Sequence, residues 1–478
     1  MKRTLLSIAA GAALLGGPAA AQDFPTTPPR ATGAPRVDLP EPVRMRLPNG
    51  LTVMYVQQRE LPVVSAVLVT RGAGSADEPA QVPGLASFTA SMLDEGAGGR
   101  DALALANALD LLGASLSTGS GTDAAQANLY VLRQNFPAAL RIMADVVTRP
   151  DFPEREVNRL RDERLTALAR ARDEATTIAN NAFASLVYGA QHPYGRVPTA
   201  EGTRALDRGR VQGFHAARYR PESSTLILVG DVDPAAMQPM VAEAFGAWRA
   251  QGPAAAGPAE LPQAPSIGRT VVYLIDKPGA AQSEIRIGHP GVPRSSPDFF
   301  PVMVMNTMLG GTFTSRLNTN LRETHGWAYG ASSNFAMLRG AGPFTARAGV
   351  QTNATDSALV EFFRELNRIR TEAVTPTELD KIKNFVALRL PGQLETTSDI
   401  AGQLAALETY GLDASYFDDY VQRVMAVTAD DLRRVASEYI RPDRAVVVVV
   451  GDRQVVEAAV RAANVGPVEI REVTEFVR

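Results

Sequence analysis

The sequence predicts an α+β protein of two homologous domains, each a β-sheet covered by helices, and three observations carry that prediction. The first is an internal repeat. Tyr219-Arg-Pro221 leads into Glu-Ser-Ser-Thr-Leu-Ile-Leu-Val and then Gly230-Asp231, while Tyr439-Ile-Arg-Pro442 leads into Asp-Arg-Ala followed by five valines and then Gly451-Asp452. In both copies the glycine follows the proline by nine residues, and the copies are offset by 221. A recurring offset with strand, turn and helix signals in register marks a duplication. The second is a stretch from Gln251 to Ile267, with Pro253, Pro258, Pro262 and Pro265 among Ala and Gly, which reads as a linker between parts of similar size. The third is the alternation of strand runs with pairs of helical patterns in each part, which calls for a sheet with helices packed on it.

In chain order, Val43 to Leu47 and Leu51 to Val56 flank Pro48-Asn49-Gly50 and form a hairpin, because Asn-Gly tolerates the positive φ that tight hairpin turns need. Val63 to Thr70 is a further strand. Helices open at Gly84, Asp101 and Pro153, the last running through Glu154-Arg-Glu-Val-Asn-Arg-Leu160. Val211 to Tyr219 is helical ahead of the first repeat strand. The second part has strands at Thr270 to Ile275 and Glu284 to His289, helices from Phe299 and Thr314, and a strand from Trp327 to Phe335. Thr375-Pro-Thr-Glu-Leu-Asp-Lys-Ile382 opens the counterpart of the Pro153 helix, and Asp430 to Tyr439 the counterpart of Val211 to Tyr219.

Ahead of both parts, Lys2 and Arg3, the apolar run Leu5 to Leu15, the break at Gly16-Gly17-Pro18 and the small residues Ala19-Ala20-Ala21 read as a signal peptide over residues 1–21. The run is shorter than the roughly 20 residues a bilayer span needs. Residues 22–42 form a proline-rich leader, 43–250 the first domain, 251–267 the linker and 268–478 the second domain. The chain has no cysteine, which excludes disulfide scaffolds, thiolate metal sites and a lipidated N-terminal cysteine. A cysteine-free exported chain suits a periplasm. Net charge is −3 for the whole chain, and −5 once the two leader cations are removed, so nothing favours nucleic acid.

Pro83-Gly-Leu-Ala-Ser87-Phe-Thr-Ala90-Ser91-Met-Leu93 carries the first functional signal. It resembles the zinc helix of the pitrilysin/insulinase-type peptidases, in which an inverted His-x-x-Glu-His motif lies between a Gly-Leu-Ala lead and Met-Leu. Positions i, i+3 and i+4 share one helix face, so two histidines can grip one metal while the glutamate activates water. Here those positions hold Ser87, Ala90 and Ser91, none of which can do that work. The resemblance also places Glu163 where the family has its third ligand, and one carboxylate without imidazoles does not hold zinc. Only four histidines exist, His192, His215, His289 and His325, with no pair at ligand spacing. No metal or other cofactor is expected in this chain.

The second signal runs from Gly310-Gly311-Thr-Phe-Thr-Ser-Arg-Leu317 to Leu321-Arg322-Glu-Thr-His-Gly326-Trp-Ala-Tyr329-Gly330. By pattern it is a helix stopped by Gly326, with Arg322 in the last turn and Tyr329 on the following strand. It resembles the second-domain motif of the same peptidases, in which an arginine and a tyrosine face the zinc across a closed chamber formed by two clam-shell halves. That resemblance implies catalytic roles for Arg322, which would position the substrate backbone, and Tyr329, which would stabilise the oxyanion, with Gly310 and Gly311 allowing close approach of substrate. In the two-chain branch of the family one chain bears zinc and another the Arg/Tyr pair. The expectation is therefore a periplasmic, zinc-free subunit of a two-chain metalloendopeptidase, inactive alone, whose partner is a homologous zinc-bearing chain and whose substrates are peptides or unfolded segments. The competing expectation is a structural or peptide-binding scaffold of the same fold.

Overall fold

The computed structural model describes residues 41–251 and 257–478; the signal-peptide reading, most of the leader and residues 252–256 of the linker lie outside them. The first half contributes β1 (Val43–Arg46), β2 (Thr52–Gln57), β3 (Val63–Arg71), a two-residue ladder of β4 (Gly96–Ala97) with β5 (Arg100–Asp101), β6 (Ser115–Ser120), β7 (Ala124–Leu132) and β8 (Ser224–Gly230). The second contributes β9 (Val271–Asp276), β10 (Gln282–Pro290), β11 (Ala328–Phe335), β12 (Pro343–Gln351), β13 (Val446–Gly451) and β14 (Val468–Arg471).

Two six-stranded sheets result, ordered β1-β2-β8-β3-β7-β6 and β14-β9-β13-β10-β12-β11. They match at five of the six strand positions. β8 runs parallel to β2 and antiparallel to β3, as β13 does to β9 and β10. The two halves are homologous α+β domains, as the repeat predicts, and the repeat strands occupy the same slot in each sheet. Both are buried at every residue, which explains the unbroken apolar runs Leu226–Val229 and Val446–Val450. Gly230 closes β8 at φ +148°, and a Cβ there would lie 2.3 Å from the Val63 carbonyl oxygen, so the repeat needs glycine at that strand end. The sheets differ at one edge: β1 is the antiparallel arm of the predicted hairpin, whereas β14 joins β9 in parallel.

On one face each sheet packs against helices of its own half. The first core joins β-strand residues such as Val64 and Leu228 to Phe136, Leu140, Val211 and Phe245. The second joins Ile285 and Val447 to Phe362, Leu366, Leu432 and Val456. The other faces are covered crosswise. Helix Thr397–Tyr410, from the second half, sets Ile400, Leu404 and Leu407 against Met54, Val67, Ile227 and Val229 of the first sheet. Helix Ala175–Tyr188, from the first half, sets Ile178 and Phe183 against Val446, Val448 and Val450 of the second. Each fully buried aliphatic or aromatic side chain contributes about 1.5–3 kcal/mol, so these exchanged helices are integral to both cores. Polar contacts fix their register. Ser65 bonds Thr397 at 2.8 Å, and Thr225 Oγ1 donates to Glu408 at 2.9 Å.

The turn His192-Pro-Tyr-Gly195 forms a latch between the halves. Tyr194 Oη accepts from Gly340 N at 2.9 Å, while Arg339 pairs with buried Asp77 at 3.1 Å and donates its backbone N–H to Asp123. Among the described residues no helix is long and apolar enough to cross a membrane.

Candidate functional site

The segment Thr307–Phe335 carries Arg322 and Tyr329, and its backbone departs from regular structure in three places. Thr307–Gly311 and Thr319–Thr324 are wide π-helical turns, a form that recurs at functional sites, and neither was legible from the sequence pattern. Gly310 is buried in the first. A Cβ on it would sit 2.2 Å from the Ser333 amide nitrogen, so its close approach is to β11 of its own fold. Gly311 is exposed at the end of that turn. The second turn holds Arg322 and stops at Gly326, which is left-handed at φ +66°; Gly326 N donates to Arg322 O and Trp327 N to Leu321 O, a capping pattern that needs glycine there.

The third departure is a bulge in β11. Its pairing with β12 jumps from Ala328↔Val350 to Ala331↔Ala348, leaving Tyr329 and Gly330 unpaired. A bulge bends a strand and re-aims a side chain. Here it turns Tyr329 outward to 92% exposure. Buried Asn318 holds the bulge in place: its Oδ1 accepts from Ala331 N at 3.0 Å and its Nδ2 donates to Phe313 O at 2.6 Å. Beneath the turn, Arg316 grips Glu378 through two 2.8 Å bonds, and this guanidinium holds the Glu378 carboxyl below its ordinary value.

Arg322 lies between two rings, its Cζ 4.2 Å from the Phe313 centroid and 5.7 Å from that of Tyr329. Stacking on aromatics orients a guanidinium, and the Glu323 carboxylate lies 3.6 Å from Nη1 of Arg322. The structure therefore brings Arg322 and Tyr329 together beside Phe313, while Gly310 is buried against β11 and Gly311 is exposed at the end of the first π turn. Phe313 completes the sandwich and was missed in the sequence; its 64% exposure, rare for Phe, is visible only in three dimensions.

The other candidate cluster is the metal-like position. Helix Leu85–Ser91 presents Ser87 and Ser91 toward helix Glu154–Ala171. Ala90 is buried, its carbonyl accepting from Thr118 Oγ1 of β6 at 2.8 Å. The side chain that reaches the two serines is Arg164, one residue beyond Glu163. Arg164 Nη1 donates to Ser87 Oγ and to Gly84 O, each at 3.1 Å, and Nη2 donates to Ser91 Oγ at 3.2 Å. Its Cζ lies 4.9 Å from the buried Phe88 ring. Burial holds this guanidinium below its ordinary pKa, against the raising influence of Glu78, but arginine stays charged throughout. Glu163 does not reach the serines; it pairs with Arg159 at 2.8 Å with more than half its side chain exposed.

These residues do not fit zinc. Two hydroxyls, a methyl and a guanidinium offer no imidazole or free carboxylate, and the fixed positive charge repels a cation. Among the described residues no base stands beside Ser87 or Ser91 either: both hydroxyls donate to backbone carbonyls and accept from Arg164, so they are not activated nucleophiles. Among the described residues no group of three or more His, Cys, Asp or Glu is placed to hold a metal. The histidines are used structurally. His192 Nε2 bonds Pro262 O, and His215 Nε2 bonds Val147 O. His289 bonds Pro290 O and accepts from Arg441 N, and His325 stacks on Trp327.

Comparison with known proteins identifies the family and the fold. The family model described as Insulinase (Peptidase family M16) matches residues 53–193, and that described as Peptidase M16 inactive domain matches residues 205–386. The chain is 26% identical over 423 residues to an uncharacterized zinc protease of Streptomyces coelicolor, covering 86% of this chain and 90% of that one. It superposes on the crystal structure of a peptidase M16 inactive domain from Pseudomonas fluorescens with a TM-score of 0.80 at 27% identity, covering 86% and 98% of the two chains. The fold is also that of the periplasmic protease PqqL from Escherichia coli, at TM-score 0.71 and 16% identity, where 93% of this chain matches 51% of that one. With family models matched in both halves and duplicated sheets of the same order, the chain belongs to the insulinase-type peptidases of family M16, as a member with no metal-holding cluster among its described residues.

Proposed function

We propose that this chain is the substrate-binding, oxyanion-stabilising subunit of a two-chain periplasmic zinc metalloendopeptidase that acts on peptides or unfolded segments. One observation carries the reading: Tyr329 stands fully exposed on a bulge that buried Asn318 maintains, with Arg322 stacked beside it. An aromatic so exposed contributes nothing to a core, so the supporting structure around it serves a surface role.

In the assembled enzyme the partner's zinc, when bound, supplies Lewis-acid activation. This chain supplies the rest of the polar environment. As the scissile carbonyl is attacked, charge collects on its oxygen, and the Tyr329 hydroxyl donates a hydrogen bond to it. Arg322, oriented by Phe313, donates to a neighbouring backbone carbonyl and fixes the peptide's register. Gly311 offers an exposed backbone at the end of its turn. The peptide itself is accepted as an added strand, a mode that depends on main-chain bonds and imposes little sequence preference.

The test is peptidase activity on a quenched peptide, with zinc assayed, for this chain alone and mixed with a homologous chain that carries the intact inverted motif. Activity confined to the mixture and reduced by Tyr329→Phe supports the subunit. Cleavage by this chain alone contradicts it. A mixture that forms a complex but stays inactive favours the scaffold.

A further inference from the structure

Arg164 fills the position that the sequence resemblance assigns to a metal, and among the described residues no ion pair neutralises its charge. All three of its hydrogen-bond acceptors are neutral: a backbone carbonyl and two hydroxyls. Glu78 acts on it through space, but the two Glu78 carboxylate oxygens are occupied by the amides of Gly84 and Ala86. Nearby Arg159 differs, being held by Glu95, Glu156 and Glu163. Nη1 of Arg164 is saturated and Nη2 has given one proton to Ser91. Among the described residues Nε–H and the second Nη2 proton make no hydrogen bond, and those two protons share one edge of the guanidinium. That edge is the fork that matches a carboxylate with two parallel bonds.

Arg164 lines a cleft of about 1020 Å³ that runs along helix Glu154–Ala171, with Pro83, Gly84, Ala167 and Pro198 as apolar and backbone surface. Asp162, Glu163 and Glu174 also line it, which disfavours a polyanion; Arg159 and Arg170 line it too, and Arg164 is the cation braced by the two serines. The edge strand β6 lies beside helix Leu85–Ser91, tied to it by the Thr118–Ala90 bond, so an extended peptide on that edge would run past the helix whose serines brace Arg164.

We propose that the vacated metal position is a carboxylate-binding site, in which the Nε/Nη2 edge of Arg164, braced by Ser87 and Ser91, takes one carboxylate of a peptide ligand. The site belongs to this chain alone and does not rest on the two-chain reading. The carboxylate comes either from the peptide's C-terminus or from an Asp or Glu side chain.

The experiment is fluorescence anisotropy on the full isolated chain with three N-terminally labelled peptides of alternating Thr and Val. One has a free C-terminal acid, one a C-terminal amide, and one an amide with a central Glu. A charge-assisted fork should make the acid peptide bind about tenfold or more tighter than the amide. Arg164→Gln should bring the acid peptide to the level of the amide and leave the amide unchanged, while Arg164→Lys should recover only part of the difference. If the Glu-containing amide rather than the acid shows the gain, the side chain is the source and the site stands. Equal binding of all three peptides to the unaltered chain overturns the proposal, and that comparison decides the matter even if Arg164→Gln does not fold. A preference that survives intact in folded Arg164→Gln overturns it as well.

Discussion

Removing the single oxygen of Tyr329 separates chemistry from folding. The ring is almost wholly in solvent, so Tyr329→Phe should leave the denaturation midpoint within about 0.5 kcal/mol of the parent, as for surface changes generally. In the assembled enzyme the same change should lower kcat by roughly 10²-fold or more, the cost of a lost oxyanion donor. Steady-state kinetics beside urea titration checks both, and unchanged kcat would remove Tyr329 from the catalytic roles. Gly310→Ala should do the opposite. Its new methyl would meet the Ser333 amide at 2.2 Å and Ser333 Oγ at 2.5 Å, forcing β11 or the π turn to move. A loss of about 3 kcal/mol is expected from overpacking of this kind, read from the same urea titration.

At the scale of elements, two helices that a metal could cross-link are instead held by one side chain. Arg164 reaches Gly84, Ser87 and Ser91 across the gap, so a covalently tethered cation stands in for a dissolved one. This decides what a designed reversal needs. Ser87→His, Ala90→Glu and Ser91→His together should still bind no zinc, because the guanidinium remains among the new ligands. Adding Arg164→Glu to those three should allow one zinc per chain, measured by metal analysis after dialysis. Zinc uptake by the triple variant would refute the stand-in. Spacing alone did not single out Arg164: neighbours on a helix point about 100° apart, so Glu163 holds an exposed ion pair while Arg164 reaches the two serines. The helix start at Asp101, whose side chain accepts from Ala104 N, and the stop at Gly326 were legible because caps are local chemistry. β6 was not, since Ser-Leu-Ser-Thr-Gly-Ser has few strand formers and is held by its neighbour β7. The bulge at Tyr329 was hidden for the same reason, being set by Asn318 from another turn.

Across the whole molecule, the repeat was readable because both copies occupy one slot in equivalent sheets, whereas the crossed helices were not, because amphipathic pattern does not say which sheet a helix will cover. The first domain drawn at 43–250 therefore lacks part of its own covering. Expressed alone, it would expose Met54, Val67, Ile227 and Val229, and should bind a hydrophobic dye and aggregate, while the full chain does neither. Acid should weaken the whole fold through its buried histidines. Burial pushes both His215 and His289 down to about 4 from 6.5, so the unfolded chain binds more protons between those values. Stability is then complete above pH 6.5 and declines as pH falls toward 4, by on the order of 3 kcal/mol per histidine. Denaturant midpoints at pH 7 and 4.5 test this, with His289→Gln expected to flatten the decline.

The exchange of helices also sets an order of events during synthesis. The first sheet is complete in sequence once β8 has emerged, but one of its faces stays bare until residues 397–410 are made. At ribosomal speeds of about 5–20 residues per second that interval lasts many seconds, long compared with the collapse of a small domain. The first half therefore cannot bury both faces of its sheet by itself, and its native packing is completed only when residues 397–410 of the second half are in place.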